Sequence, residues 1–489
     1  MNGLPVESTT IDLAAVAQSV LATGPEIIII IGACAALMLS LVPHQRQNQL
    51  LSALCVLMII LAATMSYFLG DYPQTAYADM FVIDDFSNYF KMILYLGTAL
   101  TVLMSGQYLI KEGVIQGEYY ALLLFALVGT MIMVSATDLL LIYIGLELQA
   151  LSIYVLTGFL KANTRSNEAS LKYIIVGAFS SAIMLYGMSL FYGLTGTTNL
   201  NEMKTALLTL EMSDPMLILA TLFMLVGLLF KVGAVPFHMW VPDIYEGAPS
   251  PITAFMSVAP KAAAFAVIIR IFMQDLALLQ PIWVLNMAGI AVLTMALGSF
   301  VALVQKNIKR MLAYSSIAHA GFLMLGLVAG SKEGISSMML YLLIYTFMTL
   351  GIFAIIILLN KGVLLSEPIE DFSGLAKNHA GLAFMSLLFL FSLAGIPPTG
   401  GFFAKFYVLT ALVDQGYIVL AVIAVLLSAV AAWFYIRIIM LMYMEPATGS
   451  AKIHITLPIL TVLLIATAGT LMAGLFPSWF LEFAAGSLR

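Results

Sequence analysis

Four ionisable residues lie in the middle of long apolar segments. Glu147 lies in DLLLIYIGLELQALSIYVL, Lys231 in LLFKVGAVPFHMWVP, Lys261 in PITAFMSVAPKAAAFAVII and Lys405 in SLAGIPPTGGFFAKF. A charged side chain at the centre of a bilayer costs about 2.5–3.5 kcal/mol on insertion scales. A chain that keeps four such residues is expected to use them, and carboxylates and amines in such places carry protons.

The stoichiometry of these charges favours proton exchange over simple pairing. Three lysines share one deeply buried carboxylate, so at least two lysines must be neutral or hydrated. Burial destabilises an ammonium relative to the neutral amine, which lets a lysine exchange a proton near neutral pH. A carboxylate at about 4 Å stabilises the cation by roughly 4 kcal/mol at an effective dielectric near 20. Glu147 and Lys231 are therefore predicted to form a switchable site, and the alternative is that the charges only fix helix packing.

Two histidines are further candidates. His319 lies ten residues beyond Lys309 in MLAYSSIAHAGFLML, and an imidazole with an unperturbed pKa near 6.5 suits a proton relay. A hydrogen-bonded packing histidine is an equally good interpretation. His238, in VPFHMW, allows the same two interpretations.

The other charges near the apolar segments have plainer interpretations. Glu168 and Lys172 stand four residues apart, which favours an ordinary helix ion pair over a proton uptake site. Lys91 and Arg270 are expected to extend their charged ends to the membrane interfaces.

The sequence contains no motif for redox chemistry. It has no Gly-rich fingerprint between a strand and a helix and no cysteine cluster for iron–sulfur, and Cys34 and Cys55 lie in apolar segments as small core residues. A haem would need paired axial ligands, which the histidines do not supply. Any electron transfer is therefore expected in another subunit, and no cofactor or metal site is predicted here.

Composition determines the fold class. Hydrophobic residues make up 62% of the 489 residues and charged residues 9%, whereas soluble domains carry about 25% charged residues. The chain is predicted to be an all-α polytopic membrane protein, since strand alternation is missing and no basic run suggests nucleic-acid binding. We predict 14 transmembrane helices near residues 25–43, 49–69, 84–106, 119–136, 137–160, 170–195, 216–241, 250–274, 282–304, 309–329, 335–359, 382–413, 416–443 and 454–485.

Basic residues are distributed unequally between the two sides. By the positive-inside rule this bias places both termini on the periplasmic or equivalent outer side. The cytoplasmic side would hold Arg46, Lys111, Lys161, Arg165, Lys172, Lys306, Lys309, Arg310, Lys361, Lys377 and Lys452, against Lys204, Lys332 and Arg489 on the other side.

Two of the predicted spans are interrupted by glycine and proline. The interruptions contain Gly233 and Pro236 in span 7 and Gly395 and Pro397 in span 12. Such breaks persist in a membrane only where they line a protein-enclosed or wet cavity, and a matched pair indicates inverted repeats around a transport site. We therefore predict three N-terminal helices in 1–116, five-helix repeats in 117–276 (spans 4–8) and 277–444 (spans 9–13), and a C-terminal helix in 445–489.

These segments together resemble a known family. GLELQALSIYVL, KVGAVPFHMWVPDIYEGAPSPITAFMSVAPKAA, NIKRMLAYSSIAHAG and SLAGIPPTGGFFAKF are similar to the antiporter-like membrane subunits of respiratory complex I, the bacterial NADH–quinone oxidoreductase. The similarity runs from about residue 80 to 445. Three features favour the N-type branch over the L- and M-types. The chain ends soon after span 14, it has Lys405 where the M-type usually has a glutamate, and it contains the segment PDIYEGAPSPIT.

The resemblance carries expectations for the site. Glu147 and Lys231 would be the carboxylate–lysine pair, Lys261 the central connecting lysine, and Lys405 the residue leading to the exit side. His319 would stand among the polar central residues of the second unit. The two inverted repeats would form two half-channels.

The resemblance also carries expectations for partners. Proton movement would be coupled to NADH oxidation and quinone reduction, with NADH, FMN, iron–sulfur clusters and quinone in partner subunits. The partners would be other membrane-arm subunits, including the M-type and the small K-type, in the bacterial inner membrane. A subunit of a multisubunit cation/proton antiporter is the alternative.

Overall fold

The computed structural model describes residues 13–42, 47–70, 74–114, 117–360, 367–446 and 453–488. The first half contains the helices α1 (Leu13–Ala22), α2 (Gly24–Ser40), α3 (Gln47–Gly70), α4 (Asp85–Lys111), α5 (Gly117–Ser135), α6 (Leu139–Thr157), α7 (Thr164–Thr195), α8 (Leu200–Leu207), α9 (Pro215–Val232), α10 (Trp240–Gly247) and α11 (Ser250–Ile269). The second half contains α12 (Gln280–Leu303), α13 (Ile308–Ala329), α14 (Lys332–Leu359), α15 (Leu375–Asn378), α16 (Ala380–Ala394), α17 (Gly400–Asp414), α18 (Ile418–Met444), α19 (Leu457–Leu475) and α20 (Pro477–Gly486). Wide or tight helical turns occupy Arg270–Asp275, Ala277–Leu279 and Ile369–Phe372, and two strands, β1 (Gln74–Ala76) and β2 (Phe81–Ile83), form an antiparallel hairpin.

Seven of the described helices begin at a polar capping residue, which supplies a partner for the first N–H groups of the helix. The side chain of each cap accepts a hydrogen bond from the first turn. These caps are Asp84, Asp138, Asn163, Asn199, Asp214, Asn307 and Ser331.

The prediction of an all-α polytopic membrane protein is confirmed. Within the described ranges, 12 helices are long and apolar enough to cross a membrane, or 13 if the bent pair Val16–Ala22 and Gly24–Ser40 forms one span. The predicted total of 14 stays a prediction, since the segment 382–413 consists of two 15-residue helices, α16 and α17. The segment 454–485 is not one helix either, because Pro477 starts the separate helix α20.

One helix is enclosed on all sides. The helix α11, Ser250–Ile269, is buried along its whole length. It packs against α4, α5, α9, α13 and α14. The centre of the protein is thus a helix that carries Lys261 and has no lipid-facing side.

The two predicted breaks are present and are built in the same way. The helix before each break ends at a glycine in the left-handed region, Gly233 with φ 77° and Gly395 with φ 85°. The residue after each glycine donates its N–H to the carbonyl five residues before it, at 2.9 Å in both cases. This Schellman arrangement satisfies the last carbonyls of the first half-helix.

Basic residues collect at one end of the bundle, which we call the lysine-rich face (Lys111, Lys172, Lys309 and Arg310). Asp243 at the end of the first broken span accepts hydrogen bonds from Lys172 at 3.0 Å and Arg310 at 2.8 Å. The segment before the second broken span is at the same end, where Ile369 donates to the carbonyl of Lys306. The two broken spans therefore run in opposite directions. Arg46, Lys361, Lys452 and Arg489 lie outside the described residues.

The expectation for Lys91 and Arg270 is wrong, because both are buried in ion pairs. Lys91 Nζ lies 2.7 Å from Glu26 Oε1, and both side chains are at most 4% exposed. Arg270 donates to both carboxylate oxygens of Asp84, at 3.0 and 3.1 Å, and to the carbonyl of Val134. Glu26 is in α2 and Lys91 in α4, whereas Asp84 precedes α4 and Arg270 follows α11. Spacing along the chain therefore does not reveal either pair.

Asp84 gives a prediction for the stability of the fold. Burial raises the pKa of its carboxyl, but the charge and hydrogen bonds of Arg270 and the contacts of Ser87 outweigh burial, and the net pKa lies below its usual value. The pair therefore stabilises the fold fully above the unfolded pKa of about 3.9 and loses this contribution as pH falls through the lower folded pKa. Asp84→Asn keeps the helix cap but should cost about 1.5–3 kcal/mol at pH 7.

Thermal unfolding in detergent at pH 7 and at about pH 2.5, well below the unfolded pKa of about 3.9, measures this cost. The deficit of Asp84→Asn should shrink at the lower pH. Asp85→Asn, at the exposed neighbouring position, is the control and should change little. Equal losses in both variants would contradict the pairing argument.

Candidate functional site

Glu147 and Lys231 lie on neighbouring elements around the first break. Glu147 is in the interior of α6, and Lys231 occupies the last turn of α9. Glu147 Oε1 and Lys231 Nζ are enclosed, and neither has a hydrogen-bond partner among the described residues. The carboxylate acts on the ammonium through space, but the two do not form a contact ion pair in this structure.

Other polar side chains near this pair also lack hydrogen-bond partners among the described residues. The hydroxyl of Tyr154 and the side-chain oxygens of Ser180 and Ser181 are buried without partners within the described ranges. Tyr154 packs against Gly177 of α7, one turn before the two serines. Since an unsatisfied buried polar group costs about 1–3 kcal/mol, this region between α6, α7 and α9 is chemically suited to hold water.

Lys261 is held by a single residue of α13. Its Nζ donates to the carbonyl oxygen of Ser316 at 2.8 Å and to the Ser316 hydroxyl. The ring of Tyr345 lies 5.7 Å from the same nitrogen. Lys261 is 3% exposed, so Ser316 supplies the polar contacts that a buried ammonium requires.

His319 is held between two tyrosines. Its Nδ1 lies 2.6 Å from the Tyr341 hydroxyl and its Nε2 lies 3.2 Å from the Tyr435 hydroxyl. The Tyr435 hydroxyl also bonds to Ser315. A neutral imidazole donates at one nitrogen and accepts at the other, so this row of hydroxyl, imidazole and hydroxyl can pass a proton and reverse its polarity.

Lys405 lies against the end of the half-helix α16. Its Nζ donates to the carbonyls of Leu393 at 3.3 Å and Ala394 at 2.9 Å, and to the Ser428 hydroxyl at 2.9 Å. The carboxyl end of a helix carries partial negative charge, which favours a cation there. The ring of Phe322 lies 5.0 Å from the same nitrogen.

The structure therefore joins some of the predicted residues and separates others. Ser316, His319 and Phe322 occupy one face of α13, and this face meets Lys261 at one end and Lys405 at the other. Both lysines are close enough for their charges to act on His319. Glu147 and Lys231 lie apart from this row.

The two remaining candidates have surface or boundary positions. Lys172 pairs with Glu168 at 2.8 Å, as the ion-pair interpretation predicts. His238 lies between α9 and α10, and its Nδ1 has no partner among the described residues.

Sequence reasoning missed the hydroxyl-bearing members of the site. Ser316, Tyr341, Tyr345 and Tyr435 touch Lys261 or His319 directly or through one another, and Ser428 touches Lys405. The spacing contained a usable signal. Ser316 stands three residues before His319, and Tyr341 and Tyr345 stand four apart, so each set shares a helix face.

Comparison with known proteins identifies relatives over almost the whole chain. Residues 136–431 match the family described as "NADH:quinone oxidoreductase/Mrp antiporter, TM". NADH-quinone oxidoreductase subunit N 2 of Rhizobium meliloti is 57% identical over 471 residues, which cover 96% of this chain and 98% of the relative. Subunit N of Trichlorobacter lovleyi is 42% identical over 467 residues, 95% and 96% of the two chains.

Solved structures share the fold. A chain of respiratory complex I from Thermus thermophilus has a TM-score of 0.80 and 30% identity, covering 94% of this chain and 99% of that one. A chain of the Mrp complex from Dietzia sp. DQ12-45-1b has a TM-score of 0.81 at 21% identity, covering 96% and 97%. The second likeness is one of fold alone.

The second break gives a test of how tightly Lys405 is placed. A Cβ at Gly395 would lie 3.0 Å from Lys405 Cδ and 3.3 Å from its Nζ. Gly395→Ala should therefore lose about 1–2 kcal/mol for the left-handed backbone and a further 1–3 kcal/mol for crowding the lysine.

Gly416→Ala is the matched control, because Gly416 has φ 83° and open space where its Cβ would stand. Gly416→Ala should lose only the stability that the left-handed backbone costs an alanine, about 1–2 kcal/mol. The measurement is the difference in thermal stability between the two purified variants. Equal stability would show that Lys405 is free to move away.

Proposed function

The chain belongs to the NADH-quinone oxidoreductase subunit N family, and we propose that it is a proton-translocating membrane subunit of an NADH:quinone oxidoreductase. The observation that carries this proposal is the buried polar row on α13, from Lys261 through Ser316 and His319 to Lys405. A row of exchangeable groups inside a membrane bundle has a large desolvation cost, and proton transfer is a function that uses all of its members.

Proton transfer along the row begins at Lys261. Its ammonium is bound only by Ser316 oxygens and by the face of the Tyr345 ring, 5.7 Å away. No carboxylate among the described residues forms an ion pair with it. An ammonium held by neutral dipoles loses its proton more easily than one held by a carboxylate, because the neutral amine keeps the same hydrogen bonds.

His319 and its tyrosines lead the proton onward. The imidazole can take a proton at one nitrogen and release one at the other, and the bonded tyrosine hydroxyls supply or accept it. Lys405 then receives the proton, and three acceptors orient its nitrogen.

Glu147 would control the first lysine. In contact, the carboxylate would stabilise protonated Lys231 by roughly 4 kcal/mol at an effective dielectric near 20. In this structure the two groups are not in contact. A small displacement that makes or breaks the pair would therefore switch Lys231 between holding and releasing a proton.

The domain organisation belongs to the same proposal. We assign three N-terminal helices to 1–116, two inverted five-helix units to 117–276 and 277–444, and a C-terminal helix to 445–489. The matching glycine caps of the two breaks and the opposite directions of the two broken spans support the inversion.

The chain needs partners for the energy that moves the protons. NADH, FMN, iron–sulfur clusters and quinone would act in partner subunits. The M-type and small K-type membrane-arm subunits would be its neighbours. The relatives with 57% and 42% identity carry the name of the oxidoreductase subunit, which favours this function over a cation/proton antiporter.

Substitution of Lys231 tests the relay. Lys231→Ala should abolish most of the proton pumping coupled to NADH oxidation in membrane vesicles, while the complex still assembles. Lys204→Ala, at an exposed position, should pump normally. Normal pumping by Lys231→Ala contradicts the proposal, and Lys261→Met or Lys405→Met variants that fail to assemble but pump normally where assembled would indicate a purely structural role.

Orientation in the bacterial inner membrane has its own test. We propose that the lysine-rich face is cytoplasmic and that both termini are periplasmic. A membrane-impermeant thiol reagent applied outside spheroplasts should label Asn201→Cys and spare Ala162→Cys, both at exposed positions on opposite ends of α7. The reverse pattern would overturn the orientation and leave the relay argument intact.

A further inference from the structure

The buried helix α11 has a row of hydroxyl groups that the relay described above does not use. Ser250, Thr253, Ser257 and Lys261 are three, four and four residues apart. At 3.6 residues per turn these four side chains fall within an arc of about 80° on one face. All four are buried. The row runs from the lysine-rich face to the central lysine.

The outer end of this row is tied to an ion pair. Ser250 Oγ donates to Glu367 Oε1 at 2.8 Å. The other oxygen of Glu367 lies 3.3 Å from Lys309 Nζ, which also donates to the carbonyl of Ala248 at 2.7 Å. Lys309 is 4% exposed and belongs to the same face as the other clustered basic residues.

A polar cavity opens beside this ion pair. Its volume is about 190 Å³, which is enough for several waters. Glu112, Glu246, Lys309 and Glu367 are among its lining residues. Burial and the neighbouring Glu367 raise the pKa of the Glu112 carboxyl, so this acid is a ready proton acceptor at the edge of the cavity.

The inner end of the row reaches the relay. Thr253 Oγ1 donates to the carbonyl of Tyr245 at 2.9 Å. Ser257 Oγ donates to the carbonyl of Ala254 at 2.7 Å, and Lys261, one turn later, donates to the carbonyl of Ser316 at 2.8 Å. The ion pair bonds to Ser250, and the later hydroxyls follow one turn apart up to Lys261, each bonded to a backbone carbonyl and not to the next hydroxyl.

We infer that protons reach Lys261 directly from the lysine-rich face, through the cavity at Glu112 and Glu367 and along the Ser250–Thr253–Ser257 face of α11. This inference rests on the proposed function. In each step an oxygen accepts a proton on a lone pair and releases its own proton to the next acceptor. The positive charge therefore moves by only one oxygen at a time. Successive hydroxyls one turn apart are about 5–6 Å from each other, which leaves room for one bridging water between them.

The ion pair gives this path a gate. While Lys309 pairs with Glu367, Ser250 is oriented as a hydrogen-bond donor to the carboxylate. A proton that arrives on Glu367 neutralises it, weakens its attraction to Lys309 and frees the Ser250 oxygen to accept. Glu367 and Lys309 are thus positioning residues for proton uptake.

Substitution of the whole face tests the path. The triple variant Ser250→Ala, Thr253→Val, Ser257→Ala should slow coupled proton translocation about tenfold, in keeping with the value of positioned proton-transfer groups. Thr130→Val is the control, since Thr130 is also buried and bonds only to the carbonyl of Leu127. Glu367→Gln should show the same defect and Glu367→Asp should recover part of the rate, while Glu370→Gln, at an exposed position, should not change it.

Lys261→Met is measured in parallel so that two failures can be told apart. If Lys261→Met stops pumping and the triple variant pumps as fast as Thr130→Val, the path is overturned and the proposed function stands. If Lys261→Met pumps normally, the proposed function itself fails.

Water access gives a test that does not depend on pumping. In a chain with Cys34→Ala and Cys55→Ala, the single substitutions Thr253→Cys and Ser257→Cys should each give a thiol that reacts with Ag⁺, a small cation that binds thiols, added to the lysine-rich face. Ala259→Cys is the matched control, because Ala259 is equally buried on the opposite side of α11, against Gly97 of α4. Protection from later alkylation at 253 and 257 but not at 259 supports the path, and equal reactivity at all three positions overturns it.

Discussion

The cost of holding a charge away from water governs the interior of this protein. An ammonium or carboxylate inside the bundle must receive from protein groups most of what water would have supplied, or it becomes neutral. This requirement explains why helix ends, breaks and hydroxyl-bearing residues lie next to the buried charges. Lys405 shows the principle most directly, because its nitrogen is satisfied by carbonyls that become free only where α16 ends.

Two kinds of buried cation follow from this constraint. Lys91 and Arg270 are paired with the carboxylates of Glu26 and Asp84, and these pairs join α2 to α4 and the start of α4 to the end of α11. Lys261 and Lys405 are bound by hydroxyls and backbone carbonyls instead. The neutral amine can keep these contacts, whereas loss of the proton beside a carboxylate would leave an unpaired buried anion. In the proposed function, the choice of partner therefore separates structural cations from exchangeable ones.

Much of the fold could be predicted from the sequence, because its strongest signals are local. Apolar runs defined the spans, and the Gly and Pro residues near Gly233 and Gly395 located both breaks. Lys231, Lys261 and Lys405 could be selected because a lysine in such a run is rare. The partners of charged groups were harder to predict. Glu26 lies 65 residues before Lys91, and nothing local connects them.

The hydroxyl-bearing residues were missed for a different physical reason. A serine in a transmembrane helix satisfies itself by bonding to a carbonyl of the preceding turn, so Ser316 or Ser257 carries no visible penalty in the sequence. Tyrosine is common at membrane interfaces, and Tyr341 and Tyr435 could have been interface anchors. Only their convergence on Lys261 and His319 distinguishes them.

In the part of the chain that the structure describes, Lys261 and Lys405 are bound by neutral groups, and for the proposed function this has a consequence. A proton moves along a row of neutral dipoles in whichever direction its free energy falls, and nothing in the row imposes a direction. Directed transport needs a charge that changes position during turnover, and in the proposed function Glu147, which is not in contact with Lys231, takes that role. An outside event that draws Glu147 towards or away from Lys231 would alter the free energy of the proton on Lys231 by roughly 4 kcal/mol at an effective dielectric near 20, which is enough to switch that lysine between holding and releasing its proton.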